Sequence, residues 1–82
     1  MDRTALDDAL LAAHTSGDTP ALVRLYTEAA DRAEGSGDID AACFYLTHAY
    51  VFALHAGVAE AHDLNARLVE HGREEPLSET LL

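Results

Sequence analysis

The chain has 82 residues, with fifteen acidic side chains against five basic ones and a formal net charge of −10. So short a chain builds a single hydrophobic core, which predicts one domain. A field of that sign repels phosphate backbones and anionic lipid heads, which argues against nucleic acid and membrane surfaces as partners.

Sixteen alanines and few β-branched residues favour helix throughout. The opening Met1-Asp2-Arg3-Thr4, followed by Leu6, Asp7 and Asp8, carries neither a basic leader nor an apolar signal core, which predicts a cytoplasmic protein. A first helix is expected over about 4–15, with Leu6, Leu10 and Ala13 on one stripe. The turn Ser16-Gly17-Asp18 ends it, since glycine closes helices in the left-handed conformation and an aspartate caps the next one. A second helix is expected over 19–34, with Thr19 as cap and Pro20 at the first helical position. Its inner stripe is Leu22, Leu25, Tyr26, Ala29 and Ala33, while Arg24, Glu28 and Arg32 form an i,i+4 ladder outside. Ser36-Gly37-Asp38 repeats the turn, and a third helix follows over 39–56. Gly57 stops it, and a fourth helix over 58–71 turns Ala61, Leu64 and Leu68 inward before Gly72. Gly17, Gly37 and Gly57 recur every 20 residues. Connections this short make neighbouring helices antiparallel, so the expected fold is all-α: four helices as two stacked hairpins in residues 1–72. An acidic tail over 73–82 completes the chain, loose or docked through Leu81 and Leu82.

The third helix is the unusual element. From Ala41 to Ala59 no side chain carries a formal charge, and four of the five aromatic residues, Phe44, Tyr45, Tyr50 and Phe52, lie on it. Its length approaches that of a membrane span, but Thr47, His48 and His55 interrupt the apolar run and no basic or aromatic anchors flank it. A helix apolar on every face is one that is surrounded. Three short neighbours cannot cover it completely, so Phe44, Tyr50, Val51, Phe52 and Leu54 are the candidate interaction surface. A second copy of the chain, as a homodimer, or another protein would cover it.

A shift by 20 residues aligns Leu22, Leu25, Tyr26 and Ala29 with Ala42, Tyr45, Leu46 and Ala49, and then with His62, Asn65, Ala66 and Val69. The segment Gly37 to Ala49 resembles the second helix of a tetratricopeptide repeat. Gly37-Asp38 stands at the turn, Ala42 and Ala49 at the small positions and Leu46 at the large apolar one. Tyr26 stands where the first helix of such a unit has its early aromatic, and Ala56 to Leu68 resembles the junction into the next unit. The similarity runs over 20–68, without the proline that usually follows the second helix and with a third helix about one turn too long. The resemblance implies an antiparallel hairpin stack that binds protein segments and is not an enzyme.

Side-chain chemistry offers one alternative. His62 and Asn65 are polar where the second helix has Leu22 and Leu25. They are either the exposed side of a terminal helix or, with Tyr45 and His48, the lining of a polar pocket for a small ligand or metal. A metal would need further ligands such as Glu28 or Asp63, and no Glu-x-x-His or His-Glu-x-x-His spacing is present. His14, His55 and His71 precede glycine stops and read as cations at helix C-termini. The lone Cys43, between Ala42 and Phe44, has no activating cation and reads as core. The neighbouring carboxylates Asp7-Asp8 and Glu74-Glu75 diverge on a helix, and Ser16 and Ser36 lie in turns without an activating histidine. The sequence therefore predicts a non-catalytic interaction module with no cofactor and no metal.

Overall fold

The computed structural model describes residues 3–73, and among them every regular element is a helix. These are α1 (Arg3–Ser16), α2 (Thr19–Gly35), α3 (Ile39–Ala56) and α4 (Glu60–Glu70). Of the tail predicted over 73–82, all but Arg73 lies outside the described residues, Leu81 and Leu82 included.

One turn design is used repeatedly. Gly17 and Gly37 take φ of +67° and +80°, and the residue after each, Asp18 or Asp38, donates its backbone N–H to the carbonyl five residues back. The same two aspartates then start the next helix. Asp18 Oδ1 accepts from the Ala21 N–H at 3.2 Å and Asp38 Oδ1 from Ala41 at 3.1 Å. One residue thus ends one helix and caps the next, which is why two or three residues suffice for a reversal. The cap of α2 is Asp18 rather than the expected Thr19, which is itself the first helical residue. α4 starts later than expected, at Glu60, because Ala59 offers no capping side chain and Val58 packs against the core instead.

The helices form two rows. α2 packs on α1 and most extensively on α3, and α3 packs on α4. Side chains link the alternate helices: His14 of α1 meets Phe52 of α3 with ring centroids 5.8 Å apart, and Arg67 of α4 meets Glu34 of α2 at 2.7 Å. All four of these residues sit in the C-terminal halves of their helices, so α1 runs parallel to α3 and α2 to α4, while chain neighbours are antiparallel. The resulting body measures 40 × 30 × 14 Å.

Two apolar clusters fill it. Leu6 and Ala13 of α1 pack with Ala21, Leu22, Leu25 and Ala29 of α2. Val23 and Ala30, on the other flank of α2, pack with the inner faces of α3 and α4, including Cys43, Leu46, Leu64 and Leu68. Tyr26, Tyr45 and Phe52 touch both clusters and join them. Among the described residues no helix is long and apolar enough to cross a membrane.

Candidate interaction surface on the third helix

α3 turns Ala42, Leu46, Ala49 and Ala53 wholly inward. Three alanines in that stripe let the backbone approach α2 closely, and Leu46 fills the volume between them. The remaining apolar side chains cannot share this face, and Phe44, Val51 and Leu54 stay 58%, 43% and 49% exposed. These three members of the expected interaction surface lie in water. Phe52 is half-buried, between His14 and a stacked Tyr26 ring 5.9 Å away.

Tyr50 corrects the expectation. It is only 8% exposed, and its hydroxyl accepts a hydrogen bond from Asn65 Nδ2 at 3.5 Å. Because α3 is apolar on every side, its own periodicity could not choose which aromatic points inward. Asn65 of α4 supplies a polar partner for the one phenol placed there. The same contact places Asn65 itself in the core, so it is not the exposed end-of-stack residue that the alignment suggested, whereas its companion His62 is exposed.

Tyr45 and His48, the other members of the alternative polar pocket, belong to a different neighbourhood. The His48 ring stacks on Tyr26 at 5.1 Å and lies 4.5 Å from Phe44, and its Nδ1 donates to the Phe44 carbonyl at 2.9 Å. Tyr45 lies 6.3 Å from Tyr26 on the flank of α3 that faces α1. The four residues are thus divided between the aromatic face shared with α1 and the side toward α4. No three His, Cys, Asp or Glu side chains among the described residues gather as metal ligands. Cys43 is buried.

Tyr26 organises the aromatic face. It pairs with His14 Nε2 through its hydroxyl at 2.8 Å, and burial, with a smaller contribution from Tyr45, pushes that hydroxyl above its ordinary pKa. Near the start of α1 and α3 and the end of α2 lies a cleft of about 270 Å³, lined by Arg3, Asp7, Leu10, Arg32, Asp38 and Tyr45. Its walls carry both signs of charge, so it presents no single ligand chemistry.

Of the histidines expected at helix C-termini, His14 and His55 stand in the last turns of α1 and α3, and two of the three also reach across to other helices. His14 pairs with Tyr26, and His71 Nε2 lies 2.8 Å from Glu34 across the body. Glu34 also receives Arg67, which reaches Asp31 as well at 2.8 Å. The hydrogen bond from His71, then that from Arg67, holds the Glu34 carboxyl below its usual range. α2 therefore directs Asp31 and Glu34 toward α4 and the residue that follows it. The expected Arg24, Glu28 and Arg32 ladder makes no contact within ion-pair distance, the ion pairs among the described residues being those of Arg67, His71 and Arg73.

Comparison of the chain with protein-family models, curated proteins and solved structures finds no match.

Proposed function

We propose that this chain is a non-catalytic protein-interaction module of tetratricopeptide-like type, which associates with a second copy of itself through α3. The observation that carries the reading is the outer face of α3. Phe44, Val51 and Leu54 stand in water on the one long uncharged segment of a chain with a net charge of −10. Outside α3, Leu22, Leu25, Leu64 and Leu68 are nearly or wholly buried, and Leu11 of α1, 68% exposed, is the exception among the described residues. Large apolar side chains exposed together on one helix are what an association site would present. The hairpin stack suits the role, because short connections hold the helices rigidly and leave whole helix faces open to a partner. A cytoplasmic setting accords with a single buried thiol and no partner cysteine.

Light scattering coupled to size exclusion tests the reading. At tens of micromolar the expected mass exceeds that of the 8.8 kDa monomer and rises with concentration. An Arg24→Glu variant, altered on the exposed side of α2, is expected to behave as the parent. A mass that stays at the monomer value at every concentration would refute self-association.

A further inference from the structure

The outward positions of α3 are not scattered. Ala41, Phe44, His48, Val51 and His55 follow one another at spacings of 3, 4, 3 and 4 residues, and all are exposed or half-buried. This is the a/d recurrence by which one helix meets another along a seam. It lies on the opposite side of α3 from Ala42, Leu46, Ala49 and Ala53, the stripe that α2 and α4 cover; within it His48 also stacks one ring face on Tyr26 of α2, and the exposed Thr47 and Leu54 flank it. Gly57, at φ +68°, ends the helix and the outer seam with it.

We infer that the outer seam is occupied by the same seam of a second copy, with the two α3 helices antiparallel about a two-fold axis between His48 and Val51. The inference rests on the self-association reading above and specifies its geometry. In that arrangement Phe44 packs on the His55 position of the other copy, and His48 on its Val51 position. Each imidazole then meets an apolar or aromatic group, a contact the protein already makes internally between His48 and Phe44 and between His14 and Phe52. A parallel pairing would instead set His48 against His48 and His55 against His55.

Charge argues the same way. A parallel pair would bring together the two α3 N-termini, each with Asp38 beside the Asp40–Arg73 ion pair, whereas the antiparallel pair opposes each to a helix C-terminus bearing His55. The uncharged seam also selects the occupant. It allows two chains of net charge −10 to meet without apposing their acidic surfaces, and it offers no carboxylate by which a basic helix would be read.

Thiol cross-linking tests the pairing on the full chain with its buried Cys43 left in place, the parent protein giving the background. A mixture of Phe44→Cys and His55→Cys chains, treated with a short bis-maleimide, is expected to yield at least several-fold more covalent dimer than either variant alone. Two copies of the same position lie about 16 Å apart along an antiparallel pair.

Because these substitutions trim the seam, a second measurement leaves it intact. Nitroxide labels on Ile39→Cys, at the first turn of α3, are expected about 30 Å apart in the antiparallel dimer and near the helix spacing of about 10 Å in a parallel one. Efficient self-linking of Phe44→Cys, or a short label distance, would overturn the antiparallel seam while leaving self-association standing. So would a dimer by light scattering that gives neither cross-link nor label coupling. A monomer by light scattering would remove the self-association reading, and the seam with it.

Discussion

Arg67 of α4 places its guanidinium 2.7 Å from the Glu34 carboxylate of α2, and so ties together two helices that are not neighbours in the chain. His71 takes the other oxygen of Glu34 at 2.8 Å, and both contacts lower its pKa. A carboxyl lowered in the folded state contributes stability that is fully present above its unfolded-state value of about 4.3 and is lost as pH falls to the folded value. Glu34→Gln is therefore expected to flatten the acid limb of a stability-against-pH curve below about pH 5. Near neutral pH, Glu34→Gln or Arg67→Ala is expected to cost about 1 kcal/mol or less, because the group is partly exposed and solvent screens it. Urea melts between pH 3 and 7 check both statements. An acid limb as steep in Glu34→Gln as in the parent would show that other carboxylates control it.

Two adjacent positions on α3 are expected to respond differently to one substitution. Tyr50→Glu places an unpaired charge in the core beside Asn65, at a cost of about 3 to 5 kcal/mol, comparable with the whole stability of a small domain. Circular dichroism should show a largely unfolded chain. Val51→Glu puts the same group in water on the outer seam, where helicity is expected to persist while the mass by light scattering falls to that of a monomer. Loss of helix in Val51→Glu would place that residue in the monomer's core.

Gly35 and Gly57 make a second contrasting pair. An added Cβ meets no atom within 4 Å at either, so only the backbone distinguishes them. Gly35 lies within α2 and has no positive φ, and Gly35→Ala is expected to stabilise by about 0.4 to 1 kcal/mol. Gly57 sits at φ +68°, where Gly57→Ala is expected to cost about 1 to 2 kcal/mol. Thermal melts of the two variants should move in opposite directions.

Nucleic acid binding is expected to be absent. With fifteen acidic and five basic residues, approach to a duplex gathers counterions rather than releasing them. Fluorescence anisotropy of a labelled duplex at micromolar protein and about 0.15 M salt should stay flat.

The helices and turns were legible in the sequence because their signals are local. Gly17-Asp18 and Gly37-Asp38 carry the stop and the cap in adjacent residues, and Leu22, Leu25 and Ala29, like Ala61, Leu64 and Leu68, show the inner stripes directly. α3 was legible as an element but not in its facing. With apolar groups all round, only the neighbours decide that Tyr50 goes in and Phe44 out. The contact between Glu34 and Arg67 spans 33 residues and had no local trace, nor had that between Glu34 and His71, which spans 37. The aromatic face was legible in part. Tyr26 stood out by its place in the repeat, whereas its partners His14 and His48 become visible only when α1 and α3 are laid side by side.

The two rows of helices are fastened by different chemistry, since α2 and α4 are joined by Arg67, Glu34 and His71, and α1 and α3 by the rings of His14 and Phe52. Concentrated sulfate acts on these fastenings in opposite senses. It screens the charges that draw one row together and strengthens the apolar contact that closes the other. The balance between the two rows is thereby set by the solvent as well as by the chain.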